Sequence, residues 1–192
     1  MKDITDLKEE YPDIPDDVWN MLIQTDAYTY NHSLRVCEIC QLVEKKLNLS
    51  TKILSEAGLL HDIGKYYYSQ RVLGKPHLLN ELERDIVNSH SFVSYYILKN
   101  FGFPENICDI VLHHHSAKPV YFKTVFSECV NKENERYASI LKTIDIFEAI
   151  TTDRPYHRGF SIESAIKMLR DIPDCDEEVI DILLTSQELE RD

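Results

Sequence analysis

The stretch LLHDIGK at residues 59–65 places a histidine and an aspartate directly after an apolar run. The apolar residues before it recur at helical spacing, which predicts a helix over about 51–63 that ends at Gly64 as a C-terminal cap. A helix that is apolar almost all round is expected to be buried. His61 and Asp62 would then enter the interior of the protein side by side.

Polar residues stand within apolar helical stripes in four further segments. Helices are predicted over about 26–48, 79–100, 104–116 and 134–152, and each carries one such residue in register with aliphatic neighbours. These residues are His32, His90, His114 and Asp145. Together with the His61–Asp62 pair, five segments are expected to direct an imidazole or a carboxylate at the core.

The remaining pattern is also helical. Shorter helices are predicted over about 16–24, 161–171 and 175–189, whereas residues 64–78 have the composition of a loop and residues 117–135 lose the periodicity. No segment alternates convincingly between apolar and polar residues. The predicted fold class is therefore all-α.

A metal centre is one explanation for all five polar placements. A single buried histidine is more often a hydrogen-bonded core residue than a ligand, but bound metal would neutralise Asp62 and Asp145 and satisfy every imidazole together. A His/carboxylate set without cysteine favours Fe, Mn, Ni, Co or Zn. Asp62 is best placed to bridge two ions, and two ions about 3.5–4 Å apart can clamp a phosphoryl group.

Several motifs resemble a known family. NHSLRV at 31–36, LLHDIGK at 59–65, His90, the histidines at 113–115 and Asp145 resemble the HD-domain metal-dependent phosphohydrolase superfamily. The segments at 75–84 and 145–165 are similar to the HD-GYP branch, the cyclic-di-GMP phosphodiesterases. The resemblance covers about 28–170 and implies a single-domain helical bundle of the HD-domain type. This domain is expected to span 1–192, with a core at about 26–171, an N-terminal helical extension at 1–25 and a C-terminal helix at 174–190.

The resemblance also implies the roles of individual residues. Asp62 and Lys65 would be catalytic, and Lys65 would face the phosphate of the substrate. The implied metal ligands are His32, His61, Asp62, His90, one or both of His114 and His115, and Asp145. Helical register selects His114 among the three consecutive histidines and leaves the role of His115 open.

The chain departs from the family pattern at two places. Ser116 stands where the HD-GYP branch has a glutamate, and the GYP loop that should follow is missing, so acceptance of cyclic-di-GMP is an open question. Tyr28 stands where members with three metals have a glutamate, which predicts two metals. Arg154 has two interpretations, a buried salt bridge that closes a helix-ending loop or a charge near the substrate. Arg35 could face solvent or phosphate.

Composition narrows the partners. The chain has 192 residues, and its 21 basic and 33 acidic residues give a formal net charge of −12, which disfavours nucleic acid polymers and anionic membranes. A small phosphate ester remains compatible, because a local metal cluster outweighs distant surface charge. The acidic N-terminus does not resemble a secretory signal, and the five scattered cysteines fit a reducing compartment. These features predict a cytoplasmic location.

The leading hypothesis is a phosphohydrolase that cleaves a nucleotide or another small phosphomonoester or phosphodiester. It would use two divalent transition metals, with Fe or Mn favoured over Ni, Co or Zn. One alternative is a non-catalytic HD-type regulatory or nucleotide-binding module. A second is a di-iron oxygenase, and a homodimer formed through the C-terminal helix is also left open.

Overall fold

The computed structural model describes residues 3–49, 51–68, 87, 89–115, 132–153 and 158–186. Within these ranges the chain forms nine α-helices and one 3-10 helix, and no strand occurs there, which confirms the all-α prediction. No helix in the described ranges is long and apolar enough to span a bilayer. The elements are α1 (Ile4–Glu10), α2 (Asp16–Ile23), α3 (Ala27–Lys46), α4 (Ile53–Leu60), the 3-10 helix (Ile63–Tyr67), α5 (His90–Asn100), α6 (Glu105–His113), α7 (Lys132–Thr151), α8 (Ile162–Arg170) and α9 (Glu177–Thr185).

The ends of α3 follow from local chemistry. Asp26 is its N-cap, and one carboxylate oxygen accepts hydrogen bonds from the backbone N–H groups of Tyr28 and Thr29 at 3.0 and 3.1 Å. Just beyond its last residue, Asn48 adopts a φ of 54°, a left-handed conformation that asparagine tolerates better than most residues. These two signals fix the length of α3 and therefore the depth at which His32 lies.

The predicted role of Gly64 as a helix cap is wrong. Helix α4 ends at Leu60, a turn follows, and Gly64 lies within the 3-10 helix, where a loop was predicted. A Cβ atom on Gly64 would lie 2.4 Å from the carbonyl oxygen of His90, and its N–H donates to Ser94 Oγ at 2.9 Å. Glycine is therefore needed here because the 3-10 helix packs backbone to backbone against α5.

Most other predicted helices agree with the structure to within a few residues. The exceptions are α1, which was not predicted as a separate helix, and the helix predicted over 79–100, of which α5 forms the second half. Residues 79–86 of that prediction lie outside the described ranges. The end of the helix predicted over 175–189 also lies outside them.

Helix α3 packs along α4 and α7 at the centre of the fold, and one apolar cluster connects the helices from both ends of the chain. Val36, Leu54 and Leu141 are completely buried where these three helices meet. Trp19 of α2 and Ile180 of α9 belong to the same cluster. The expected division into one domain with two terminal extensions stays a prediction.

The segment after α1 docks on the start of α4. Lys52 donates to the Glu10 carbonyl oxygen at 3.0 Å, and its Nζ lies 5.3 Å from the centre of the Tyr11 ring. Glu56 lies under this segment, where burial, Asp13 and Glu44 raise its pKa from 4.5 to about 7. The carboxyl group of Glu56 therefore holds a proton at pH values where an unfolded chain would have lost it.

This shift makes the free energy of unfolding depend on pH. Because the pKa of Glu56 is higher in the folded state, stability falls as pH rises from about 4.5 to about 7. We expect Glu56→Gln to unfold like the wild type at pH 4 and to be about 1–2 kcal/mol more stable than it at pH 8. Urea unfolding at both pH values measures this, with exposed Glu135→Gln as the control. Equal stability of the wild type and Glu56→Gln at pH 8 would contradict the assignment.

The central packing also predicts which leucines carry stability. Leu54 is completely buried, so Leu54→Ala is expected to lower the free energy of unfolding by about 2–5 kcal/mol through lost transfer energy and a residual cavity. Leu184 of α9 is 44% exposed, and Leu184→Ala is expected to change it by less than about 0.5 kcal/mol. Chemical denaturation of both variants checks the packing, and a similar loss in both would argue against it.

Candidate metal centre

Six polar side chains from five segments meet at the centre of the helical core. His32 lies within α3, His61 and Asp62 form the turn after α4, His90 opens α5, His114 follows α6, and Asp145 lies within α7. The side chains of His32, His61, Asp62 and His90 are each no more than 5% exposed, and that of Asp145 is 13% exposed. These residues therefore lie together in the core, as the helical periodicity of the sequence predicted.

Asp62 lies between two groups of nitrogen atoms. Its Oδ1 is 2.9 Å from His90 Nε2 on one side. Its Oδ2 is 3.7 Å from His32 Nε2, 3.5 Å from His61 Nε2 and 2.6 Å from Lys65 Nζ on the other. The two oxygens of one carboxylate thus face different partners, which is the arrangement that a bridging ligand requires.

Three sets of three side chains could each hold a metal ion. Within each set, the ligand atoms of the three residues lie within 4.8 Å of one another. The distance from His115 Nε2 to His90 Nε2 is 3.0 Å, and His90 Nε2 is 3.4 Å from His114 Nε2. His115 reaches the cluster with its ring nitrogen although the residue is exposed. The sets are His90 with His114 and His115, His32 with His61 and Asp62, and His61 with His114 and Asp145.

The backbone fixes the orientation of three imidazoles. Nδ1 of His61 donates to the Gly58 carbonyl oxygen at 2.8 Å, and Nδ1 of His114 donates to that of Val111 at 2.6 Å. His90 makes the equivalent bond to Val87 at 2.5 Å. Because a carbonyl oxygen only accepts, the proton of each neutral ring must lie on Nδ1. Each Nε2 lone pair then points into the cluster.

Glu148 is a buried residue of the site that the sequence analysis missed. It is 1% exposed, and its carboxylate accepts hydrogen bonds from His32 Nδ1, from Arg35 Nε and, at 2.7 Å, from Thr152 Oγ1. The available signal was its position three residues after Asp145, which puts both carboxylates on the same face of α7. Arg35, for which the sequence left solvent and phosphate open, has its Nε bound to Glu148.

Electrostatics keep several imidazoles neutral. Burial lowers the pKa of His61, and burial together with His115 and His61 holds that of His114 well below its usual range. Desolvation and the neighbouring His90 lower the pKa of His115 to about 4. A neutral imidazole has a free lone pair, so these rings are in the form that binds a metal.

The pKa shifts of the other groups favour the charged forms. Burial alone would raise the pKa of Asp62, but the ammonium group of Lys65 outweighs it and holds the pKa well below its usual range. The pKa of Asp145 is likewise lowered, against burial, by its hydrogen bond with His32. Burial would lower the pKa of His32, but Asp145 and Glu148 raise it to about 9. Asp62 and Asp145 are therefore ionised although both lie inside the core.

The residues fit a divalent cation. Among the described residues, His61 Nε2 is buried without a hydrogen-bond partner, and its carboxylate neighbours are 3.5 and 3.8 Å away. His90 Nε2 and His114 Nε2 face each other at 3.4 Å although both are acceptors in the neutral rings. A cation with ligand bonds of about 2.0–2.2 Å satisfies such converging lone pairs. The cluster could therefore hold divalent metal, and the ligand role of each residue stays a prediction.

The remaining candidates divide into two groups. Lys65 lies beside Asp62, as described above, whereas His113 donates from Nδ1 to the Asp109 carbonyl oxygen at 2.8 Å and belongs to none of the three sets. Arg154 and Ser116 lie outside the described residues. Tyr28 stacks on the ring of His32 with centroids 6.1 Å apart and planes 6° apart.

Comparison with known proteins identifies the family. The family model of the HD domain matches residues 29–150, and the chain therefore belongs to the HD-domain family. The expected resemblance to the superfamily is confirmed. The HD domain of the phosphodiesterase PgpH from Listeria monocytogenes has a similar structure, with a TM-score of 0.61, 22% identity, and coverage of 87% of this chain and 92% of that one.

Two of the proteins to which the chain is similar in sequence are phosphodiesterases. The chain is 28% identical over 177 residues to the 3′3′-cGAMP-specific phosphodiesterase 1 of Vibrio cholerae, a match of 88% of this chain and 40% of the relative. It is 31% identical over 150 residues to a cyclic di-GMP phosphodiesterase of Pseudomonas aeruginosa, a match of 76% of this chain and 36% of the relative. The chain thus spans no more than about two fifths of the length of either relative.

The three consecutive histidines offer an internal test of the metal centre. We expect His114→Ala to lose metal affinity strongly, because the ring is buried and its Nε2 faces His90. His113→Ala is the matched control and should bind metal like the wild type, since its ring bonds to Asp109. His115→Ala should be intermediate if its Nε2 completes the set with His90. Calorimetric titration with Mn²⁺ or Zn²⁺ measures all three, and equal affinity of the first two variants would refute the assignment.

Proposed function

We propose that this chain is a metal-dependent phosphohydrolase of the HD family that cleaves a nucleotide or another small phosphate ester. One observation carries the proposal. The imidazoles and carboxylates of five segments converge on one buried point, and the ammonium group of Lys65 lies 2.6 Å from Asp62 Oδ2 at its edge. The named phosphodiesterases to which the chain is similar support the same class of reaction.

Two divalent metals are proposed for the centre, with Fe or Mn favoured and Ni, Co or Zn as alternatives. His32, His61, Asp62 and Asp145 would hold one ion, and Asp62, His90, His114 and the further candidate His115 would hold the other. When bound, such a pair supplies Lewis acidity toward a phosphoryl group and activates water for attack. The stacking of Tyr28 on His32 supports two ions, because an aromatic ring occupies the position where a third carboxylate would be needed.

The residues of the chain have separate tasks in this proposal. Asp62, ionised and buried, orients the nitrogen ligands on both of its sides. The side chain of Lys65 is 18% exposed, so its ammonium group can face both Asp62 and an incoming phosphate. Its positive charge would stabilise the negative charge that develops on the phosphoryl oxygens. Asp62 and Lys65 are therefore the proposed catalytic pair.

The names of the relatives suggest a substrate class. The relatives are described as acting on 3′3′-cGAMP and cyclic di-GMP, and the PgpH HD domain is known in complex with cyclic-di-AMP. We propose a cyclic dinucleotide as the first substrate to test, and the missing GYP loop favours the other two over cyclic-di-GMP. A cytoplasmic location and a homodimer stay predictions.

Hydrolysis by the purified, Mn²⁺-loaded chain tests this function. The panel is 3′3′-cGAMP, cyclic-di-AMP, cyclic-di-GMP and bis(p-nitrophenyl) phosphate. We expect turnover of at least one of them, and Asp62→Asn should lower kcat at least about 100-fold because it removes a buried charge at the centre. The control is Asp109→Asn, since Asp109 lies on α6, is bound to Asn134 and is absent from the three sets. Stoichiometric metal without turnover on any substrate would favour the regulatory module.

A further inference from the structure

His32 is held differently from the other buried imidazoles. Nδ1 of His61, His90 and His114 donates to a backbone carbonyl oxygen three residues earlier in the chain. Nδ1 of His32 instead faces the Oε2 atom of Glu148, a side chain from another helix and 116 residues further along the chain.

The position of each histidine within its helix explains the difference. His61 and His114 follow the last residues of α4 and α6, where the final carbonyl groups lack an intrahelical donor and are free to accept. His32 lies in the interior of α3, which runs from Ala27 to Lys46, and carbonyl groups there accept the N–H groups of the next turn. No helix end leaves a free carbonyl group near His32, and its Nδ1 has its acceptor on α7.

In the part of the chain that the structure describes, three side chains donate hydrogen bonds to the Glu148 carboxylate. Oε1 accepts from Arg35 Nε and from Thr152 Oγ1, the latter at 2.7 Å, and Oε2 accepts from His32 Nδ1. An ionised carboxylate is an acceptor at both oxygens, so it matches all three donors. Burial opposes ionisation of Glu148, but His32, and after it Thr152 and Arg35, lower the pKa of this carboxyl group.

We propose that Glu148 is a positioning residue that keeps a proton of His32 on Nδ1 and so reserves Nε2, which lies 2.9 Å from Asp145 Oδ1, as the atom that would bind a metal. Arg35 and Thr152 hold the carboxylate in place, and Arg35 serves Glu148 rather than the phosphate of the substrate. Glu148 touches no reacting atom in this assignment. The inference rests on the metal centre of the proposed function and adds a residue to which the sequence analysis gave no role and which belongs to none of the ligand sets.

The substitution Glu148→Gln separates this role from simple packing. Glutamine has the same shape, but one end of its amide must donate. If the amide oxygen faces Arg35 and Thr152, where it satisfies two donors, the NH₂ group faces His32. Nδ1 of His32 must then accept, and the ring proton moves to Nε2. The lone pair that should bind the metal is lost while the volume of the core is unchanged.

Metal titration and NMR of the full chain test this inference. We expect Glu148→Gln to bind Co²⁺ about 10–100-fold more weakly than the wild type. Long-range ¹H–¹⁵N spectra of the Zn²⁺-loaded protein, labelled with ¹⁵N-histidine, should show His32 protonated on Nδ1 and metal-bound at Nε2 in the wild type. In the variant, His32 should lose the metal-shifted Nε2 signal, and His32→Gln identifies that resonance.

The matched control is Glu44→Gln. Glu44 is also a buried glutamate of the core, is 7% exposed, and accepts a hydrogen bond from the Ser55 backbone N–H at 3.0 Å. It lies twelve residues after His32 on α3 and belongs to none of the ligand sets. We expect its Co²⁺ affinity and the His32 signals to match the wild type. Wild-type affinity and a metal-bound His32 in Glu148→Gln would overturn the proposal.

A second variant covers failure of Glu148→Gln to fold. Glu148→Asp keeps both acceptor oxygens but withdraws them from His32 by about one methylene, and weaker Co²⁺ binding with unchanged stoichiometry is expected. Wild-type affinity of this variant would equally count against the role of Glu148. Neither measurement uses turnover. A wild type that binds metal but hydrolyses none of the panel would therefore contradict the proposed function and leave the assignment of Glu148 intact.

Discussion

The ionised carboxylates of Asp62 and Asp145 lie inside a helical core. The groups around them must offset the free-energy cost of removing these charges from water. Burial opposes ionisation of both groups, yet Lys65 lowers the pKa of Asp62 and the hydrogen bond with His32 lowers that of Asp145. Charges buried in this way persist only when they are paired or coordinate a cation. The two carboxylates therefore require donors or cations close by, and the packing of the helices places those groups around them.

The imidazoles of the cluster are oriented in two ways, by helix ends and by a side chain. Helix ends present free carbonyl groups that orient His61 and His114, so the termination of α4 and α6 is part of the site and not only of the fold. Where no helix end is available, a side chain takes over, as Glu148 does for His32. Close packing of Gly64 against α5 then brings Asp62 to His90. The same local geometry that ends each helix also aims each ligand.

Much of this arrangement was accessible from the sequence because helical periodicity reports which face is buried. A polar residue in register with aliphatic ones is conspicuous, and that criterion found His32, His90 and Asp145 without any structure. It failed for Glu148, because a glutamate near the end of an apolar stripe has the pattern of a residue at the edge of a solvated face. It also failed for Gly64, since a glycine after an apolar run suggests a cap whether or not another helix lies against it.

The amino-acid sequence alone determined the fold class, the family resemblance and the residues that face the core, because each depends on local spacing or on motif. Tertiary structure decided which of those residues meet. That Asp62 faces His90 with one oxygen and His61 with the other depends on how the 3-10 helix packs against α5. That Arg35 pairs with Glu148 depends on α3 lying against α7, 113 residues away along the chain. Contacts across such separations arise from packing, which no local pattern encodes.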